Sequence, residues 1–152
     1  KTWLSLNFYT DSREANYRLL KHKIIVEELL FDNKNIVDYK FFCFGGEPKA
    51  IQVDKGRDPN RQAARFDTQW TFQEGFIDYN PLEGVPKKPE NLNQMLSAAA
   101  KLAPYFGLIR IDMYSDGNDF YIGEITNCDN GGNYIYKPDG AELKLSKMIF
   151  GD

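Results

Sequence analysis

The sequence predicts an α+β domain, a mostly antiparallel sheet packed with helices. Three observations carry that expectation. Two pairs of β-rich segments are joined by short turn-forming stretches, "GG" at 45–46 and "SDGN" at 115–118. One long segment, 89–106, repeats its apolar residues at helical spacing. The chain's 152 residues, 42 % hydrophobic and 14 % aromatic, supply material for one sizeable core. A single domain is therefore expected.

Taken in order, "DSREANYRLL" (11–20) offers capping types at Asp11 and Ser12 and contains no breaker, which predicts a short helix. "KIIVEELL" (23–30) is β-branched and apolar and reads as a strand, followed by an Asn-rich loop, "FDNKNIV" (31–37). "DYKFFCF" (38–44) and "EPKAIQV" (47–53) then form a hairpin across the glycine pair. Residues 54–89 are rich in Gly, Pro, Asp and Asn and read mostly as loop, with one strand near "ARFDTQW" (64–70). "PENLNQMLSAAAKLAPYF" supplies an Asn cap, an apolar stripe at Leu92, Met95, Leu96, Ala99 and Leu102, and Pro104 to help end the helix. Strands at 108–114 and 119–126 follow, then a loop, "NCDNGGNY", and a C-terminal helix from Ala141.

Composition excludes several functions. Net charge is −3 with both signs interspersed, so the basic stripe that a phosphate backbone demands is missing, and no nucleic-acid partner is expected. No apolar run approaches the roughly 18 to 20 residues of a membrane span, and no signal-peptide pattern opens the chain. Cys43 and Cys128 lie far apart without CxxC spacing, which argues against a disulfide framework or zinc site and fits a reduced, cytoplasmic setting. The single histidine, His22, sits between two lysines and reads as solvated, so Ser-His-Asp, Cys-His and His-rich metal chemistries are not expected. Because the chain opens at Lys1 without a methionine, an upstream part of a parent protein is expected to be missing.

Two acids raise the question of chemistry. Strand alternation in "IRIDMY" sends Ile109, Ile111 and Met113 to one face and Arg110, Asp112 and Tyr114 to the other. In "FYIGEIT" the same rule puts Glu124 on a face with Phe120, Ile122 and Thr126. An acid among apolar neighbours is costly without a cation. Arg110 can be that cation within the sheet; equally, Asp112 and Glu124 on adjacent strands can aim at a magnesium ion, a hard cation that takes carboxylate oxygens, with phosphate and water completing its shell. Spacing leaves both readings open.

The order of "IIVEELL", "DYKFFCFGGEPKAI", "FDTQW", a helix ending "KLAPYFG", "IRIDMY" and "YIGEIT" resembles the ATP-grasp superfamily, and within it the TupA-like family, over residues 23–132. The resemblance implies an ATP-grasp-like C-terminal portion, with the nucleotide-covering glycine-rich loop and its lysines lying upstream. It implies that the acid matching Glu27 faces the adenine amine and that backbone groups of Glu28 and Leu30 pair with the ring. Asp38 would hold ribose hydroxyls. Asp112 and Glu124 would ligate Mg²⁺, with the third-ligand position falling on Thr126 and Asn127 one step beyond, and Arg110 would point at the reacting group. Lys40, on the face of Asp38, and Arg57 or Arg65 are candidate phosphate partners.

The implied reaction is ligation. With ATP and Mg²⁺, a substrate carboxylate would become an acylphosphate, which an amine then converts to an amide. The family association is with cell-surface polysaccharide assembly in bacteria, so the expected partners are nucleotide and a carboxylate-bearing sugar or amino acid. Catalysis is expected of the full-length parent rather than of these residues alone. Two alternatives are a non-catalytic nucleotide-binding module and a carbohydrate-binding domain that stacks sugars on Trp70 and Trp3.

Overall fold

The structure, a computed structural model, describes residues 2–31, 37–56, 59–74 and 80–151, apart from the side chains of residues 2, 3, 80 and 130. Short helices α1 (Thr2–Ser5) and α2 (Phe8–Ser12) and a 3₁₀ turn (Ala15–Tyr17) precede β1 (Val37–Phe44), β2 (Glu47–Lys55), β3 (Gln62–Phe66), β4 (Phe72–Gln73) and β5 (Asn80–Pro81). Helix α3 (Leu92–Leu102), β6 (Leu108–Ser115), β7 (Phe120–Thr126) and α4 (Ala141–Phe150) complete the chain. The sheet runs β4-β3-β2-β1-β6-β7, antiparallel along that path, with β5 parallel to β3 on its outer side. The fold is α+β, as expected.

The β1–β2 hairpin forms where the glycine pair allows it: Gly45 and Gly46 take φ of +61° and +84°, the left-handed region that a primed two-residue turn requires. Alternation then sorts the sheet into two unlike faces. Phe41, Ile51, Phe66, Ile109, Ile111 and Met113 form one face and are covered by Leu92, Met95 and Ala99 of α3, the apolar stripe expected from its spacing. Fully burying each large side chain there contributes roughly 1.5–3 kcal/mol. The opposite face is polar at its centre, with α4 laid across one end, where Ala141, Leu145 and Ile149 pack on Phe42 and Ala50.

Five local expectations are corrected. Residues 23–30 form no strand; Ile25, Val26 and Leu29 stand 79 %, 90 % and 71 % exposed, because β propensity yields a strand only beside an edge to pair with. The helix expected over 11–20 is replaced by α2, which ends at Ser12 where Arg13 turns left-handed at φ +60°, and by the separate 3₁₀ turn. Asn91 occupies the N-cap position of α3 but makes no capping bond; its amide donates to Ser115 Oγ at 2.9 Å and to the Asp119 carbonyl at 3.3 Å, tying the helix start to the β6–β7 turn. The strand expected near 64–70 is β3, shifted toward the N-terminus.

The fifth correction concerns the face of Glu124. Asp112 stands opposite Glu124 but Met113 stands opposite Ile122, so Gly123 is an extra residue, a bulge that reverses the phase of the strand. Glu124 and Thr126 therefore share the polar face of Asp112 and Arg110, while Ile122 and Phe120 face the other way with Met113 and Ser115. A Cβ at Gly123 would lie 2.4 Å from Tyr114 Cε2. Gly123→Ala accordingly destabilises by about 1 kcal/mol, the low end of overpacking costs, since the half-buried Tyr114 ring can turn aside. Urea unfolding measures it, and Tyr114→Ala in the same chain should remove most of the penalty.

Candidate functional site

Register places a polar row straight across the sheet. Arg65 on β3 stands opposite Gln52 on β2, Gln52 opposite Lys40 on β1, Lys40 opposite Asp112 on β6, and Asp112 opposite Glu124 on β7. Cross-strand neighbours share a face, so all five project to the side away from α3. One residue pair further along, Asp54 and Asp38 stand opposite each other; in the other direction Arg110 stands opposite Thr126.

Lys40 is the centre of the row. Its Nζ donates to Asp112 Oδ2 at 2.7 Å and to Asp38 Oδ2 at 2.5 Å, with Asp54 Oδ2 at 3.9 Å. Burial works against the ammonium, but the adjacent Asp38 and Asp112 outweigh it and hold the Lys40 pKa above its ordinary value. Burial also pushes the Asp38 carboxyl up, opposed by Lys40. Among the described residues, Asp38 Oδ1 is buried and accepts no hydrogen bond.

Arg110 grips Asp112 from the other side. Its Nε donates to Oδ1 at 2.7 Å and its Nη2 to Oδ2 at 2.9 Å, a bidentate pair. The same guanidinium donates to Asp129 and to Thr126 Oγ1, at 3.2 Å for the latter, and lies 3.8 Å from Glu124 Oε2. Burial opposes its charge, yet Asp112 and Asp129 raise its pKa, so it remains protonated throughout. Thr126 in turn donates to Glu124 Oε1 at 2.8 Å. Asp112 is thus 2 % exposed with cations on both oxygens, whereas Glu124 is 52 % exposed at the sheet edge.

On the β2 side, Gln52 donates to Asp54 Oδ1 at 2.9 Å and accepts from Arg65, while Arg61 pairs with Asp54. The structure thus brings together Asp38, Lys40, Arg110, Asp112, Glu124 and Thr126 from the sequence reading, with Arg65 at the end of the row. Asn127 is exposed just beyond β7. Glu27 and Glu28 are exposed and Leu30 half-buried, and none of these hydrogen bonds reaches them. Arg57 lies outside the described residues. Sequence reading missed Gln52, Asp54, Arg61 and Asp129. Counting outward from the "GG" turn pairs Lys40 with Ile51; Lys49 is an extra residue in β2 that shifts the register and brings Gln52 opposite Lys40 and Asp54 opposite Asp38, and Asp129 sits in a 3₁₀ turn with no periodic signal.

Among the described residues, no group of three or more His, Cys, Asp or Glu side chains is arranged to hold a metal. The donor chemistry nevertheless fits magnesium, which is commonly held through one or two carboxylates with substrate phosphate and water filling its shell; Asp112 and Glu124 are such a pair. Trp70 is engaged elsewhere: it stacks on Phe66 with centroids 4.3 Å apart and donates to the Pro86 carbonyl at 3.1 Å, which ties it into the core rather than a sugar platform. The side chain of Trp3 lies outside those described. No helix of the described residues is long and apolar enough to cross a membrane. No curated protein and no solved structure matches the chain. A family model described as TupA-like ATPgrasp matches residues 1–149.

Proposed function

The chain belongs to the TupA-like ATP-grasp family, and from that premise we propose that its polar sheet face is the phosphate end of an ATP- and Mg²⁺-dependent carboxylate–amine ligase acting in bacterial cell-surface polysaccharide biosynthesis. The observation that carries this reading is the facing pair Asp112 and Glu124, flanked by the buried cations Lys40 and Arg110.

Each residue has work suited to its setting. Asp112 and Glu124 would hold Mg²⁺, with Thr126 and Asn127 as the further candidate ligands; the ion would supply positive charge against the triphosphate. Lys40, whose ammonium is favoured by its neighbours, is positioned to turn from Asp112 toward a phosphate oxygen. Asp38 keeps a buried oxygen without a donor, which suits a ribose hydroxyl. Glu27, Glu28 and Leu30 serve the adenine end, on a segment not committed to the sheet.

The substrate carboxylate attacks the γ-phosphorus and forms an acylphosphate while ADP leaves with the electrons of the broken P–O bond; the neutral amine then attacks the carbonyl carbon, phosphate leaves with the bonding electrons, and the amine's proton passes to solvent. Arg110, charged at every working pH, stabilises the oxyanion of that second step, a role worth a few kcal/mol where donors are pre-oriented. Both nucleophiles belong to substrates. The chemistry therefore asks for no histidine or reactive cysteine.

Isothermal calorimetry of Mg-ATP against the full-length protein tests the reading: binding heat is expected with Mg²⁺ present, and its absence removes the proposal. A second reading, a module that binds nucleotide or carbohydrate without turnover, draws support from Asp112, whose two oxygens are already taken by Lys40 and Arg110. Mg²⁺-dependent phosphate release from ATP separates the two.

A further inference from the structure

Beside the polar row, sharing Arg110, Thr126 and Asn127 with it, lies a pocket whose remaining lining has no role above. It has a volume of about 350 Å³ and sits between the ends of β6 and β7, the loop after β7, and α4. Phe42, Leu145 and Ile149, which pack where α4 crosses the sheet, give it an apolar wall. Tyr134 and Tyr136, half-buried with ring centroids 6.2 Å apart, add an aromatic one.

Its charged lining is unequal. The lining holds one cation, Arg110, and two acids, Asp129 and Glu142, while a second cation, Arg65, stands behind it over the Phe42 ring at 4.9 Å and the Tyr136 ring at 6.0 Å. Arg110 is held by Asp112 and Asp129, and Tyr134 donates to Asp129 Oδ1 at 3.1 Å, which leaves the exposed carboxylate of Glu142, on the first turn of α4, as the acid of the lining that this network does not engage. With Arg65 already over the Tyr136 ring, Glu142 is the group that draws an ammonium to the mouth of the pocket. Apolar walls with a few convergent polar groups are the general make-up of a small-molecule site.

We infer that this pocket receives the amine substrate of the ligation, a primary ammonium carried on an apolar or aromatic body of amino-acid size. The inference rests on the ligase reading only for the fate of the amine: Arg110 bounds the pocket on one side and meets Asp112 on the other, so an amine seated here lies next to the group proposed to steady the reacting carbonyl. The carboxylate-bearing partner then approaches from the polar row, where the cations are.

Cys128 lines the same pocket and is half-buried, while Cys43 is fully buried with its thiol pushed up to about 12, so alkylation of the native protein reports on Cys128. Tyramine and 4-ethylphenol, its deaminated counterpart, are titrated calorimetrically against the full-length protein, and the rate of Cys128 alkylation by iodoacetamide is followed by mass spectrometry. Tyramine is expected to bind and to slow Cys128 alkylation, 4-ethylphenol to bind about fivefold more weakly, and Glu142→Gln to bring the two together. Equal binding of the two probes in the wild type, or an unchanged Cys128 rate with tyramine, overturns the inference. Mg-ATP heat recorded on the same samples keeps the readings apart. Heat without tyramine protection removes the amine pocket alone; protection without heat removes the ligase reading and leaves the pocket.

Discussion

Asp112→Ala lowers the free energy of unfolding by about 3 kcal/mol, because it takes the central acid away from two buried cations at once. The figure sits at the low end for a broken buried pair, since Lys40 retains Asp38 and Arg110 retains Asp129. Asp112→Asn keeps the shape and an acceptor oxygen, so it should cost less while still removing the charge. Urea denaturation with an unchanged slope measures both losses. Calorimetry supplies the functional half: both variants, kept well below their unfolding midpoints, are expected to give no heat with Mg-ATP. An Asp112→Asn protein that binds Mg-ATP as the wild type does would end the proposed metal role for this side chain.

Lys40→Gln should split two affinities in opposite directions. In the wild type a divalent cation at Asp112 competes with Lys40 and Arg110 for its oxygens, and the ammonium also repels it across a few ångströms of poorly solvated space. Glutamine removes the competitor and the repulsion, so Mn²⁺ alone, followed by electron paramagnetic resonance, is expected to bind about tenfold more tightly, equivalent to roughly 1.4 kcal/mol. ATP, by contrast, loses a phosphate partner and binds more weakly. Without divalent metal the variant leaves Asp38, Asp54 and Asp112 crowded around a neutral amide, and its melting temperature falls; Mn²⁺ restores it by mass action. Weaker Mn²⁺ binding in Lys40→Gln would show that the lysine supports the metal rather than excluding it.

Legibility tracked how locally each feature is encoded. The β1–β2 hairpin was readable because two glycines and a period of two are both printed in a dozen consecutive residues. Helix α3 was readable for the same reason, its stripe being a property of its own sequence. What failed depended on partners. Residues 23–30 have the composition of a strand but no edge beside them among the described residues. Asn91 has the chemistry of a cap and spends its amide on Ser115, which no spacing rule anticipates. Strict alternation put Glu124 with Ile122, and one inserted glycine undid it. The pairing of Asp112 with Glu124 across two strands rests on a bulge, which is a relation between strands, whereas Asp112 and Arg110 share a face by their own spacing on β6.

The strand order also divides the row dynamically. Lys40 lies on β1, paired on both flanks, while Glu124 lies on β7, whose outer flank has no strand beside it among the described residues. Amide hydrogens of β1 should therefore exchange with solvent slowly, near the global unfolding limit, and those of β7 through much cheaper local opening. One acid is carried on the stiffest part of the sheet and the other on its most easily loosened margin, so a ligand gripping both would tighten the margin, and slowed deuterium uptake along β7 becomes a label-free sign of occupancy.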